Sequence, residues 1–462
     1  MCLGRGEPGG PRRCAAQARA AYCRADAAAG TLERRLGDVQ LAQAQSAYGA
    51  PVSPFHIPLP DAVQQALQVA RQDGGNPLIV GGAVRDAAWG ATAHDVDIEV
   101  HHTRIDELAE RYRAAGYTVD EVGEAFGVLK IRRPGEISDL DIAVPRLDNK
   151  TGAGHRGFNV DFDPTLTVEQ AAARRDFTIN ALLYDHRLGV LIDPFGGLAD
   201  LRSRTLRAVS AHFSEDPLRV LRGVQLAGRF DLRLDQDTAD LCRQLRPHFD
   251  ELPAERVQQE WAKLFTKSTR PQAAVKALRD CGWDDTVPGL RAALDNPATS
   301  TALQALPALP AGHRVAIGAA VIAAAMPAAH RQGFLRYSVI GKDDQIVAAD
   351  LADTVPADLE SPYARKRHAH RMAGRGFTFD RFLLFSQALS NPSGIDIGRA
   401  AAAEGVGSAP EAPLIQGRDV ITARAAKPGP WVGELVAEAL DRQYRGEFAN
   451  RAAALNWLAG LG

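Results

Sequence analysis

Apolar residues recur at helical spacing over residues 61–71 and then bunch into a short run at 77–80 that ends in Gly81-Gly82. The pattern predicts a helix, a buried strand and a glycine turn, then a second helix over 83–89 closed by Gly90. Polar and apolar positions alternate over 94–100, which places Asp95, Asp97 and Glu99 on one face of a strand and Val96, Ile98 and Val100 on the other. A helix over 105–115, strands over 127–132 and 140–144 and a Gly-rich loop over 148–157 follow. Thr167 and Gln170 have the spacing of a capping box at the head of a helix that runs into Arg174-Arg175-Asp176. The runs 182–184 and 190–192 suit a hairpin.

From Ser214 onward the period changes. Ser214 as N-cap and Pro217 in the first turn begin a long stretch at helical spacing, with no strand expected after it. Pro and Ala cluster at 296–312 and 408–413, which reads as linkers, while 315–329 reads as a buried Ala-rich helix. The mixed first half and helical second half give an α+β chain. Its expected divisions are a leader over 1–55, a strand-rich domain over 56–210, a helical neck over 211–295 and a helical body and tail over 296–462. The leader, rich in Ala, Arg and Gly with little apolar periodicity, is expected to be disordered.

Composition adds limits. A chain of 462 residues exceeds one ordinary core, and 45% hydrophobic with 24% charged residues is globular usage. The formal net charge of -2 excludes a polyanion held by the field of the whole molecule, so a nucleic-acid partner needs a local basic surface. The five cysteines, Cys2, Cys14, Cys23, Cys242 and Cys281, form no C-x-x-C pair, which suits a reducing cytoplasm and offers no zinc site. No apolar run is long enough to span a membrane.

The chemistry concentrates at Asp95 and Asp97. Carboxylates at i and i+2 of a strand point the same way about 6–7 Å apart, close enough to share hard divalent cations, although the same pattern also marks a solvated edge strand. Asp141 is the expected third carboxylate, with Asp139 and Glu99 as lesser candidates. Gly81-Gly82 before a helix lets backbone N–H groups approach phosphate oxygens, with Arg85 adding a full positive charge.

Five motifs, Gly-Gly-Ala-Val-Arg-Asp at 81–86, His-Asp-Val-Asp-Ile-Glu at 94–99, Arg-Arg-Asp-Phe-Thr-Ile-Asn-Ala-Leu at 174–182, Ile-Asp-Pro-Phe-Gly-Gly at 192–197 and Glu-Asp-Pro-Leu-Arg-Val-Leu-Arg at 215–222, occur in this order. Together they resemble the bacterial class II tRNA nucleotidyltransferase and poly(A) polymerase family. The resemblance implies a polymerase-β-like nucleotidyltransferase head with a mixed β-sheet, followed by an all-helical neck, body and tail. It implies an enzyme that adds C and/or A nucleotides from CTP and ATP to the acceptor end of tRNA, without a template, using two Mg2+ ions. Asp95 and Asp97 would bind the metals with Asp141 in support; Gly81, Gly82 and Arg85 would hold the triphosphate; Arg175 would contact the nucleotide and Asp176 its ribose. Asp216 and Arg219 would read the base, and Arg222, one turn on, would face the nucleotide.

The spacing of Asp216 and Arg219 fits that role, since i and i+3 on one helix face present an acceptor and a forked donor together. At the next turn stands Gln225, where many relatives carry arginine. Glu255-Arg256 and Glu260 resemble a motif that braces the neck, and the loop over 146–158 lies where the family has a flexible element that switches C to A addition. The run Arg365-Lys366-Arg367-His368 with His370, Arg371 and Arg375 is the densest basic segment and a candidate grip on RNA. The His-Asp phosphohydrolase insertion of many relatives has no counterpart, so no phosphatase activity is expected. Readings that stay open are a CC-adding or A-adding enzyme, a poly(A) polymerase and an inactive RNA-binding protein; partners in membrane or DNA are not expected.

Overall fold

The computed structural model describes residues 38–92, 95–123, 127–133, 135, 139–150, 158–424 and 427–461. The chain divides into two compact units, the first comprising Met1–Gly223 with Leu232–Glu251 and the second Val224–Asp231 with Leu252–Gly462. The residues of the expected neck fall in both.

The first unit is built on an eight-stranded sheet with the order β1-β10-β9-β2-β3-β6-β5-β4. Its strands are β1 (Val52–Pro54), β2 (Asn76–Val80), β3 (Asp97–His101), β4 (Thr118–Gly123), β5 (Val128–Arg132), β6 (Leu140–Ala143), β9 (Leu183–Asp185) and β10 (Val190–Ile192). β3 and β6 pair in parallel and the other neighbours are antiparallel. A mixed sheet followed by helices is thus the architecture, as the change of hydrophobic period implied. The apolar run of β2 is buried, with Leu78 and Ile79 fully covered, because it lies at the sheet's centre. Helices in this unit are α1 (Asp38–Tyr48), α2 (Asp61–Ala70), α3 (Gly82–Ala88), α4 (Ile105–Ala114), α5 (Val168–Ala173), α6 (Gly197–Ser203), α7 (Leu218–Phe230, whose last turns belong to the second unit) and α8 (Gln236–Gln244). Thr167 and Gln170 form the capping box at α5, each side chain accepting from the other's backbone N–H.

Four expectations need correction. Residues 1–37 of the expected leader lie outside the described residues, but 38–54 are ordered structure. Ala44 and Ala50 are buried against the sheet, Tyr48 Oη donates to Asp185 Oδ2 at 2.7 Å, and β1 pairs with β10. Small alanines pack without producing a hydrophobic stripe, which is why the segment read as a tail. The Gly-rich loop begins and ends in paired strands, β7 (Arg146–Lys150) and β8 (Phe158–Phe162), while 151–157 lie outside the described residues. Helix α7 starts at Leu218, not at Ser214, since Ser214 lies in a 3-10 turn (Ala211–Glu215) and Pro217 holds Asp216 extended at φ -125°. The region after it is not strand-free: β12 (Arg233–Leu234) pairs in parallel with β11 (Thr205–Leu206).

The second unit is helical throughout its described residues. The helix Arg314–Ala324 is its core, with every residue from Ala316 to Ala323 buried. The expected linker at 296–312 instead contains the helix Pro297–Ala305, capped by Asn296, whose Oδ1 accepts from Ala298 N at 2.9 Å. Ile415, Val420, Ala439, Ala454 and Leu458 form a separate apolar cluster among the last three helices. No helix among the described residues is long and apolar enough to cross a membrane.

Candidate active site

The register of the central strands assembles the acidic centre. Asp97 opens β3, opposite Val80 on β2 and Asp141 on β6, and Asp141 stands opposite Lys130 on β5. Gly81 follows Val80 directly, so the glycine turn lies beside the strand pair that carries Asp97. Asp95 and Asp97 are both exposed, whereas Val96 and Ile98 are buried. Burial of the surroundings, then the charges of Asp141 and Asp95, push the Asp97 carboxyl above the usual aspartate range against the pull of Arg175 and Arg222. Asp141 also meets Lys130 Nζ at 2.9 Å, and Asp139 lies 3.7 Å from Arg132 Nε.

Glu99 departs from expectation. Although it shares the face of Asp97, it is only 1% exposed and encloses three cationic or titratable partners. Its Oε2 accepts from Arg174 Nη2 at 3.2 Å and Arg175 Nη2 at 3.4 Å, and its Oε1 lies 3.3 Å from His101 Nε2. Burial works to raise its pKa, but the His101 contact and the two guanidinium groups outweigh that and hold it down at about 2. A carboxylate so enclosed is not placed to serve as the third metal ligand.

The phosphate-cradle residues meet the Arg-Arg-Asp motif at this turn. Gly81 has φ 69° and ψ -126°, a conformation glycine alone adopts without strain, and its N–H donates to Leu182 O at 3.2 Å. A Cβ there would lie 3.0 Å from Arg175 Nη1. Arg85, by contrast, is buried, its Nη1 donating to Asn180 Oδ1 at 2.5 Å and its Nε to Asp86 Oδ1 at 2.9 Å. Asn180 Nδ2 in turn donates to Asp176 Oδ1 at 2.8 Å, and Asp176 Oδ2 is 3.1 Å from Arg222 Nε. Burial works to raise the Asp176 pKa, yet Arg222, Asn180 and the Phe177 N–H together hold it below the usual range. Asn180 was assigned no role from sequence, although it lies in a motif and is the residue through which Arg85 and Asp176 are joined. The Ile-Asp-Pro-Phe-Gly-Gly motif supports the same turn. Asp193 accepts from Gly197 N at 2.7 Å and Leu198 N at 3.0 Å, and a Cβ on Gly197 would fall 2.1 Å from Thr178 O.

Asp216 and Arg219 do not share a helix face, because Asp216 precedes α7 and its Oδ1 accepts from Leu218 N at 3.2 Å. Arg219 lies on the first turn, with Nη1 donating to His212 O at 2.6 Å and Nη2 to Arg174 O at 2.7 Å. Arg222 is exposed and Gln225 is buried.

In the second unit part of the basic run is spent on the protein itself. Arg365 is 5% exposed, pairs with Glu404 through both Nε, at 2.9 Å, and Nη2, and donates to the carbonyls of Leu359 and Glu360. Lys366 meets Glu411 at 2.8 Å and the buried His368 meets Asp350 at 3.1 Å. Arg367, His370, Arg371 and Arg375 remain exposed. In the neck motif Glu260 is buried, with Oε1 2.7 Å from Lys263 Nζ.

Comparison with known proteins agrees with this geometry. Residues 78–207 match the Poly A polymerase head domain, and residues 231–294 match the probable RNA and SrmB-binding site of polymerase A. The multifunctional CCA protein of Stenotrophomonas maltophilia (strain K279a) is 40% identical over 207 residues, covering 44% of this chain and 48% of that protein. The chain therefore spans about half the length of the curated relatives it matches. Among solved structures, the Bacillus stearothermophilus CCA-adding enzyme in complex with CTP superposes with a TM-score of 0.64 at 24% identity, covering 87% of this chain and 98% of that one. The Thermotoga maritima CCA-adding enzyme complexed with tRNA gives 0.59 at 18% identity, covering 89% and 99%. These two likenesses establish a shared fold. Over residues 78–207 the chain is thus similar to the Poly A polymerase head domain, and over most of its length it shares the fold of the CCA-adding enzymes.

Proposed function

We propose that the protein is a template-independent nucleotidyltransferase that adds C and/or A from CTP and ATP to the 3′ end of tRNA in the cytoplasm. The observation that carries this reading is the register of β2, β3 and β6, which sets the Gly81 turn beside Asp97 and Asp141 opposite Asp97, with Arg175 against the turn. The 40% identity to a multifunctional CCA protein supports the substrate class.

The donor set fits hard divalent cations at the level of a carboxylate pair. Burial, and after it the charges of Asp141 and Asp95, raises the Asp97 pKa, and a bound cation would relieve the charge crowding. Among the described residues no group of three or more His, Cys, Asp or Glu side chains converges on one metal position, and Asp141 is drawn to Lys130. Asp95 and Asp97 would hold the ions, which when bound supply activation of the attacking 3′ hydroxyl and charge neutralisation at the departing pyrophosphate.

The chain's own groups do the rest. The Gly81-Gly82 backbone lies against the triphosphate, Arg175 supplies positive charge beside it, and Arg85 fixes the turn from behind through Asn180. Asp176 and Arg222 orient the sugar side of the nucleotide, while Asp216 and Arg219 present an acceptor and a donor to the base; a mismatched base would leave these groups unpaired, which is how protein side chains can select without a template. Incubation with tRNA lacking its 3′ CCA, with CTP and ATP separately and together, tests the reading. Ordered incorporation supports it; the residues added separate CCA, CC-only and A-only addition from poly(A) synthesis, and no incorporation overturns it.

A further inference from the structure

Glu99 is a buried charge that none of the steps above uses. It stands two residues beyond Asp97 on β3, and a strand's period of two puts Asp97, Glu99 and His101 on one face. The Asp97 end of that face is exposed; Glu99 and His101 are each 1% exposed. Arg174 and Arg175 are adjacent in sequence, and two guanidinium groups held side by side away from water repel each other. The Glu99 carboxylate touches both, at 3.2 and 3.4 Å through the same oxygen, and so neutralises part of that repulsion. Its other oxygen faces His101 Nε2 at 3.3 Å, while His101 Nδ1 lies 3.2 Å from Leu166 O. The chain of contacts runs from a fixed backbone carbonyl, through His101 and Glu99, to the guanidinium that lies over the Gly81 turn.

We propose that Glu99 is a positioning residue for nucleotide binding: it holds Arg175 over the Gly81 turn, with His101 holding Glu99 in place. The inference rests on the reading that the Gly81 turn and Arg175 take the triphosphate. It gives Glu99 a role distinct from metal ligation, since Oε2 accepts from both guanidinium groups and Oε1 is buried beside the His101 ring. A glutamine at this place would keep the shape but turn an NH2 toward a guanidinium or toward His101, leaving the arginine pair uncompensated. The effect also reaches the base-reading side, because Arg219 Nη2 donates to the Arg174 carbonyl at 2.7 Å.

The test uses the full chain with Glu99→Gln, Glu99→Asp and His101→Gln. Equilibrium binding of CTP in the presence of Ca2+ is measured beside steady-state incorporation into tRNA lacking CCA over a Mg2+ titration. Glu99→Gln is expected to raise the CTP Kd and KM by about tenfold or more, as loss of one charge-assisted contact would. The kcat and the Mg2+ concentration for half-maximal rate stay close to those of the wild type. Glu99→Asp recovers part of the loss, and His101→Gln shifts CTP affinity in the same direction by less. Unchanged CTP affinity in Glu99→Gln overturns the proposal. So does a collapse of kcat with a shifted Mg2+ requirement, which would make Glu99 a metal ligand. If Glu99→Gln does not fold, His101→Gln decides, since it leaves the carboxylate in place, and unchanged CTP affinity there overturns the proposal. Absence of incorporation by the wild-type chain would defeat the proposed function, whereas the CTP binding comparison would still judge the role of Glu99.

Discussion

Gly81→Ala probes the turn on which the proposed nucleotide binding is built. Its backbone, at φ 69° and ψ -126°, lies in a region that side chains with a Cβ avoid, and a new methyl would stand 3.0 Å from Arg175 Nη1 and 3.9 Å from Asn180 O. The backbone strain costs about 1–3 kcal/mol of folded-state stability. For a domain of this size each kcal/mol lowers Tm by roughly 2–4 °C. The arginine tip can move to relieve the contact, but then it leaves the place where a triphosphate is expected. Loss of a hydrogen bond to a charged group, about 1.5–3 kcal/mol, corresponds to roughly 10- to 150-fold in kcat/KM for CTP. Gly82→Ala is the stability comparison, because its φ is not positive and its nearest neighbour, Arg85 Nη2, would be 3.6 Å away. Thermal unfolding with steady-state nucleotide incorporation measures both effects. A Gly81→Ala protein with wild-type Tm and wild-type kcat/KM would refute the reasoning.

The Asp97 carboxyl, with a folded-state pKa above the ordinary value, binds its proton more tightly in the folded than in the unfolded chain. That stabilisation is complete below the ordinary aspartate pKa and is lost as pH rises through the folded value, so Asp97→Asn should unfold at a higher temperature than the wild type near neutral pH without divalent ions, with the gap closing in acid. Added Mg2+ should raise the Tm of the wild type and not of Asp97→Asn; equal responses would count against a cation site there. Glu99 behaves oppositely: held down at about 2, it contributes stability above the ordinary glutamate pKa that is lost as pH falls toward that value, which acid titration of wild type against Glu99→Gln would read. In the helical unit, Arg365→Ala should cost about 1–3 kcal/mol in denaturant unfolding by leaving the half-buried Glu404 and the carbonyls of Leu359 and Glu360 without their donor, whereas exposed Arg375→Ala should cost little; equal effects would deny Arg365 its structural role.

The strands that carry the site were legible because a half-buried strand leaves an alternating pattern; Asp97 stands in that pattern, but the strand expected over 94–100 begins only at Asp97, and Asp95 lies in a bend before it. What alternation cannot say is which polar position will be covered. Glu99 has the same phase as Asp97, and Arg174 and Arg175, 75 and 76 residues away in sequence, close over it together with His101. Arg85 was similarly readable as a cation next to a glycine turn, but its bond to Asn180 joins residues 95 positions apart. The helix Asp38–Tyr48 was hidden by its own composition, since its contact with the sheet rests on Ala44, Leu41 and Tyr48, too few apolar positions to mark a stripe. The basic segment at 365–371 shows the converse, because a dense run of charge looked like an interface until its carboxylate partners Glu404, Glu411 and Asp350 came into view.

On the proposed function, Asp95 and Asp97 jointly hold divalent cations beside the Gly81 turn. Crystals grown or soaked with Mn2+ and CTP, with data collected near the manganese absorption edge, test it directly. Anomalous peaks are expected within coordination distance of both carboxylates, with the triphosphate lying along the Gly81-Gly82 backbone. Peaks seated instead on Asp139 and Asp141, or a triphosphate bound away from that turn, would contradict it.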